Sequence, residues 1–240
     1  MGTIAGRARV WLNRVVTAVA LPVTLVLVAL VSRISPPRGA QLAHRAIDGI
    51  AGLCGVRFVD EGLGEVSEDR LVVVANHSSP LDIAAVLHCL PDARFLAAAD
   101  LFRVPLLAAA MRGMGTVPIE RRDRRTARRQ LDALVERVGA LDEFRLVIFP
   151  EGGIPASGER FPFKAGAFEL AIRVGAPVLP VAIHGTASAL PPKGHLGVRP
   201  GVVRVEALPT LTTEGLTMDD LDALRTRVET AVLAALDGRA

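Results

Sequence analysis

Two short stretches carry residue types able to do acid–base chemistry. The first is Asn76-His77-Ser78-Ser79-Pro80-Leu81-Asp82, which follows the β-branched apolar run Leu71-Val72-Val73-Val74-Ala75. That run reads as a buried strand. Pro80 suits the first position of a helix, where its missing N–H is no loss, and Ser79 is a good N-cap before it. His77 then lies in the turn between strand and helix, with Asp82 in the helix's first turn. Open α/β sheets take their ligands beyond the carboxyl ends of their strands. An imidazole there, with a carboxylate five residues on, suits a general base and its orienting acid. The same spacing has a structural explanation, because Ser79-x-x-Asp82 resembles a capping box in which Asp82 satisfies a backbone donor. The second stretch, Pro150-Glu151-Gly152-Gly153, closes another apolar run, Arg145 to Phe149. Its glycines let backbone N–H groups approach a ligand closely.

The chain has 240 residues, half of them apolar, with 4% aromatics, no Tyr and a formal charge of +3. That length is ample for a large core. Cys54 and Cys89 have no C-x-x-C partner, so both read as reduced, buried small hydrophobes, as in a cytoplasmic-side domain. His77, Asp82 and Glu151 lack a third His or Cys at ligand spacing, so no metal is expected. The arginines cluster in Glu120-Arg121-Arg122-Asp123-Arg124-Arg125 and Arg128-Arg129. This is either a solvated helix face or a site for anionic lipid head groups or phosphates. Nucleic acid is not expected, for no recognition motif and few aromatics accompany the charges.

These stretches need a scaffold. Val15 to Ser32 is uncharged, between Arg7, Arg9 and Arg14 on one side and Arg33 and Arg38 on the other. Eighteen helical residues span roughly 27 Å, slightly short of a hydrocarbon core of about 30 Å, and Pro22 predicts a kink. A spanning helix, a re-entrant or interfacial anchor and a buried helix all fit. A signal peptide fits least, since no A-x-A site follows. Pro36-Pro37-Arg38-Gly39 breaks the pattern. Ala40 to Cys54 is a second helix stopped at Gly55, followed by a strand over Val56 to Glu61. After the helix opening at Pro80 come strand Arg94 to Ala98, a helix from about Pro105, and a short edge strand ending in Pro118-Ile119. A helix capped by Asp123 runs to Gly139. Phe163-Lys164-Ala165-Gly166-Ala167 opens a helix stopped at Gly175, with Lys164 placed against the helix dipole. Strands over Val178 to Ile183 and Val202 to Ala207 follow, then a final helix behind Thr217-x-x-Asp220. The alternation predicts an α/β fold: a mixed, mostly parallel sheet flanked by helices, with an N-terminal apolar membrane-associating segment. The division is residues 1–54 for that segment and 55–240 for a catalytic domain.

Asn76-His77-x4-Asp82, Gly115 to Arg121, Phe149-Pro150-Glu151-Gly152 and Val178-Leu179-Pro180-Val181 occur in the order and spacing of the glycerolipid acyltransferases. With Phe163-Lys164-x-Gly166-Ala167, the resemblance is to the lysophosphatidic acid (1-acylglycerol-3-phosphate) acyltransferases and covers roughly residues 50 to 237. It implies an O-acyltransferase on the cytoplasmic side of a membrane. The donor would be an acyl-coenzyme A or acyl carrier protein thioester, the acceptor a lysophospholipid, and no cofactor is implied. His77 would be the general base and Asp82 its orienting acid. Arg121, Glu151, Gly152 and Lys164 would bind the acceptor and its phosphate, with Glu151 on a hydroxyl or a cation. Backbone N–H groups of Gly152 and Gly153, or of the helix at Pro80, are candidates for an oxyanion site. Two departures stand out. Glu151-Gly152-Gly153-Ile154 replaces the family's Glu-Gly-Thr-Arg, removing an arginine expected near the phosphate. Ala97-Ala98-Ala99 stands where a lysine is common. Arg121, Arg122, Arg160 or Lys164 would compensate, or the acceptor is another lysolipid, such as a lyso-ornithine lipid. A non-catalytic lipid-binding protein is the remaining alternative.

Overall fold

The computed structural model describes residues 4–120, 123–155, 159–191 and 197–239. In chain order the elements begin with α1 (Ile4–Ile34), α2 (Pro36–Cys54), β1 (Val56–Glu61), β2 (Arg70–Ala75), α3 (Leu81–Cys89) and β3 (Arg94–Ala98). A 3₁₀ turn (Ala99–Arg103) leads to α4 (Pro105–Gly113), β4 (Val117–Ile119), α5 (Arg124–Gly139), β5 (Phe144–Ile148) and α6 (Gly166–Val174). The chain ends with β6 (Val178–His184), α7 (Thr186–Ala189), β7 (Gly201–Ala207) and α8 (Leu221–Asp237).

Among the described residues seven strands form one sheet, in the order β1-β7-β6-β2-β5-β3-β4. Every neighbouring pair is parallel except β6 with β7. Parallel strands need helical crossovers that cover both faces, which is why β2 is apolar at successive positions instead of alternating. Leu71, Val73 and Ala75 enter the core beneath α2 and α3, while Val72 and Val74 enter the one beneath α5, α6 and α8. All five are fully buried. Pro180 interrupts β6, yet its carbonyl accepts from Leu208 N (2.9 Å), just past the end of β7, so the donor it lacks would serve no ladder. Pro118 marks β4 as an edge strand, as expected.

The N-terminal helices depart from the sequence expectation in extent. α1 runs as one element through Pro22 and takes in Arg7, Arg9 and Arg14. α2 starts at Pro36, only Ser35 separating the helices, because prolines are tolerated in a first turn whose N–H groups have no intrahelical partner. The Pro36-Pro37 break is thus a helix start. α1 is docked by polar contacts, of which those of Asn13 are buried. Asn13 donates through Nδ2 to Cys54 O (2.8 Å) at the end of α2 and to Val198 O (2.9 Å). Arg9 donates to Leu53 O (3.3 Å). These groups satisfy carbonyls that the C-terminus of α2 leaves open. Farther along, a β-carbon at Gly39 of α2 would lie 2.9 Å from Ser32 Cα, and one at Gly113 of α4 would lie 2.5 Å from Ser32 Cβ. Only glycine lets the three helices meet there.

The opposite face of α1 is bare. Trp11 (66% exposed), Val15, Val19 (62%), Val23, Leu27, Leu30 and Ile34 recur at three- and four-residue spacing along one side. Arg9–Ile34 is long and apolar enough to cross a membrane, with a hydropathy of 2.6.

Candidate active site

Asn76 ends β2 by making its side chain a rung of the ladder. Nδ2 donates to Ile183 O (3.0 Å) and Oδ1 accepts from Ile183 N (2.7 Å), both buried. The backbone therefore stops pairing there and turns, and His77 leaves the carboxyl end of the sheet. The turn is pinned again by Ser79 Oγ donating to Leu190 O (2.7 Å) and by Ser78 Oγ against Thr186 Oγ1 (3.1 Å).

His77 Nδ1 lies 2.9 Å from Asp82 Oδ2. The same oxygen accepts from Ser78 N (2.7 Å) and Ser79 N (2.8 Å). The pairing and the capping explanations of Asp82 both describe it, for one fully buried carboxylate performs both tasks. The backbone donors fix its position, and that position fixes the ring. A carboxylate only accepts, so Nδ1 carries the proton and Nε2 is left as the basic nitrogen. Phe149 stacks on the imidazole with centroids 4.1 Å apart and planes 13° apart.

Glu151 is buried beside it. Oε1 accepts from His77 N (2.8 Å) and Oε2 from Phe161 N (3.4 Å). Burial pushes its pKa up from the ordinary carboxylate value, and the bonds from His77 N and Phe161 N pull the other way. One carboxylate thus holds the ring of His77 and another its backbone. Glu151 reaches no Lys or Arg among the described residues, and its hydrogen bonds there are to main-chain donors.

Gly152 has φ +74°, a left-handed turn, and a β-carbon there would strike the Lys164 ammonium. Its N–H donates to Phe149 O (3.1 Å). A β-carbon at Gly153 would meet nothing within 4 Å. The donors at the start of α3 are also engaged. Ser78 N and Ser79 N serve Asp82, Leu81 N donates to Ser79 Oγ (3.1 Å) and Asp82 N to Ser79 O (3.1 Å). Of the proposed oxyanion donors, Gly153 N has no acceptor among the described residues. Lys164 is exposed and forms no ion pair with a described residue. Arg121 and Arg122 lie outside the described residues.

His77, Ser78 and Glu151 line a cavity of about 340 Å³, a size suited to a small-molecule site. Arg160, His184 and Arg239 line it too. Arg160 pairs with Asp237 (2.8 Å), Arg239 with Glu61 (2.7 Å) and Glu206 (3.4 Å), and His184 Nε2 faces Glu206 (3.2 Å). His184 and Arg239 carried no local signal, since one ends a strand and the other follows the last turn of α8. No group of three or more His, Cys, Asp or Glu among the described residues is placed to hold a metal ion.

The family model for Acyltransferase matches residues 57–184, which span β1 to the end of β6 and include the whole His77–Asp82–Glu151 arrangement. The chain is 32% identical over 167 residues to the 1-acyl-sn-glycerol-3-phosphate acyltransferase alpha of Mus musculus, covering 68% of this chain and 57% of that protein. It is 35% identical over 140 residues to the chloroplastic 1-acyl-sn-glycerol-3-phosphate acyltransferase BAT2 of Brassica napus, covering 58% and 40%. The chain thus spans about half the length of the curated relatives it matches. Among solved structures it resembles the 1-acyl-sn-glycerophosphate (LPA) acyltransferase PlsC of Thermotoga maritima. The TM-score is 0.78 at 25% identity, over 97% of this chain and 96% of that one. With its family match across more than half the chain and its fold shared nearly end to end, this chain belongs to the Acyltransferase family.

Proposed function

We propose that the protein is a membrane-associated O-acyltransferase. It moves an acyl chain from a coenzyme A or acyl carrier protein thioester to the free hydroxyl of a lysophospholipid, with 1-acylglycerol 3-phosphate giving phosphatidic acid as the first candidate reaction. The observation that carries this is the His77–Asp82 pair at 2.9 Å on the wall of a cavity, in a fold shared with a solved LPA acyltransferase.

Nε2 of His77 takes the proton of the acceptor hydroxyl as that oxygen attacks the thioester carbonyl. The imidazolium so formed is stabilised by Asp82, which keeps its negative charge throughout. The tetrahedral oxyanion needs a donor, and Gly153 N is the proposed one. Collapse breaks the carbon–sulfur bond, and the imidazolium returns its proton to the leaving thiolate. No covalent acyl-enzyme forms. Glu151 positions His77 through its N–H. Gly152 makes the turn that brings Lys164 beside the site, and Arg121, Lys164 and Arg160 are the proposed contacts for the acceptor head group. Residues 1–54 serve as the membrane-associating segment and 55–240 as the catalytic unit, on the cytoplasmic side. The docked inner face and bare outer face of α1 favour a helix lying in the interface over one that spans.

A second acceptor class has its own observation. Isoleucine stands where the family's arginine is expected, and both arginines lining the cavity are already paired with carboxylates. A lysolipid with a different head group fits that balance.

The test offers purified protein labelled acyl-coenzyme A with lysophosphatidic acid, glycerol 3-phosphate, lysophosphatidylglycerol and a lyso-ornithine lipid in parallel, products being identified by mass. Transfer abolished in folded His77→Ala supports the reading, and transfer retained in that variant overturns it.

A further inference from the structure

A second and larger groove, of about 500 Å³, lies on the β3 side of the sheet, apart from the His77 cavity. It is bounded by Arg94 at the start of β3, by Arg112 and Met114 at the end of α4, and by Ala40, Ala43 and His44 of α2. The register sets Arg94 level with Leu146 and so with Val72 in the middle of β2, and the groove shares no lining residue with the His77 cavity, so the two are separate sites.

The charges of the two sites differ in kind. Arg160 and Arg239 in the His77 cavity are engaged with carboxylates. Arg94 and Arg112 have no carboxylate partner among the described residues. Arg112 lies over the Phe102 ring, 5.5 Å from its centroid, and the stem of Arg94 passes Gly115. Asp92, the acidic residue on the groove wall, is turned to Arg145 (3.3 Å). His44 turns its Nε2 toward Asp48 (3.7 Å), and its Nδ1 is buried with no hydrogen-bond partner among the described residues. The rest of the wall is apolar. Two guanidinium groups without carboxylates above an apolar floor suit a phosphate joined to a hydrocarbon.

The position says where such a ligand comes from. Gly113, on the groove wall, touches Ser32 near the end of α1, close to the exposed Leu30 and Ile34 of the bare stripe. The groove therefore adjoins the surface read above as facing the bilayer. We propose that it is a docking site for the anionic head group of a membrane phospholipid, separate from the acceptor site. Arg94 and Arg112 hold the phosphate, and the chains remain in the bilayer beside α1. This rests on the membrane-association reading.

The experiment measures binding of the full chain to vesicles of phosphatidylcholine alone and of phosphatidylcholine mixed with phosphatidylglycerol. Three variants are compared. Arg94→Gln/Arg112→Gln removes the groove's charge, Ala40→Trp fills the groove and keeps the charge, and Arg137→Gln/Arg227→Gln removes two exposed arginines elsewhere. The first two are expected to lose about tenfold or more in affinity for the anionic vesicles, keeping wild-type affinity for the neutral ones, while the third loses less. Added inorganic phosphate should compete poorly. Equal losses in the two arginine pairs, or unchanged binding by Ala40→Trp, would reduce the effect to surface charge and overturn the proposal. Full competition by inorganic phosphate would make the groove a free-phosphate site and overturn it also. Failure of the wild type to bind any vesicle would remove the membrane reading itself.

Discussion

Asp82→Asn is the sharpest test of the proposed chemistry, because it changes a charge with little change of shape. The asparagine oxygen can still accept from Ser78 N and Ser79 N, so the turn and the cap persist. That oxygen is the one facing His77 Nδ1, so the amide nitrogen takes the place of Asp82 Oδ1 and the ring proton stays on Nδ1. What is lost is the negative charge that stabilises the imidazolium formed in the reaction. The electrostatic loss is set by the 2.9 Å separation. Opposite unit charges at that distance attract by about 6 kcal/mol at an effective dielectric of about 20. At about 1.4 kcal/mol per tenfold, the ceiling is roughly four orders of magnitude in rate. Partial solvation of the imidazole lowers it, so a fall in kcat of about 10³–10⁴ is expected, with thioester KM little changed. Initial rates of labelled acyl transfer give the number, and circular dichroism checks the fold. A folded variant within about threefold of wild type would refute the reasoning and leave Asp82 as a helix cap.

Glu151 gives a pH prediction. Burial raises its pKa, so the native state binds more protons than the unfolded state above the ordinary carboxylate value. Its contribution to stability is fully present at lower pH and lost as pH rises through the raised value. Urea midpoints should therefore move in favour of Glu151→Gln as pH rises through the weakly acidic range, and a pH-independent difference would contradict this. Burial, with Asp60 nearby, pushes the Cys89 thiol up to about 12, so alkylation of the native protein at pH 8 should be slow and become fast in denaturant. Phe168→Ala empties a fully buried site between sheet and helices and should cost about 3–5 kcal/mol by denaturant melt, with a loss under about 1 kcal/mol pointing to local collapse. Gly113→Val should loosen α4 from α1 and appear as faster amide exchange in both helices, and unchanged exchange would show that the junction tolerates bulk.

What the sequence disclosed was local, and what it withheld was distant. Pro80 and Asp82 announce a helix start within a few residues, Gly55 and Gly175 announce helix ends, and Pro118 announces an edge. The alternation of elements was enough to expect the mixed, mostly parallel sheet. Glu151 was noticed, but its bond to the His77 backbone joins residues 74 apart, and no spacing rule reaches that far. Asn13 stands beside Arg14, just before the apolar stretch, where it looks incidental, and its partners are 41 and 185 residues away. His184 and Arg239 become neighbours of the cavity only when β6 and α8 are packed. Periodicity tells which face of an element is buried, and says nothing of what that face meets. Gly152 illustrates the same limit at short range. Its glycine suggested an available N–H, whereas the turn that demands glycine also uses that donor.

The Asn13 clamp has a consequence in time. One of its acceptors is Val198 O, so the clamp cannot close until the chain has been made to that point. At about 5–20 residues per second, roughly ten to forty seconds separate the emergence of the two partners from the ribosome. Early in that interval the docking side of the first helix has only α2 to lie against, and the outer stripe has nothing. So apolar a helix, made well before its last partner, needs an immediate harbour. On the proposed membrane reading, the helix is expected to be taken up by the membrane or by a chaperone while most of the sheet is still unmade, and the sheet to assemble against it afterwards.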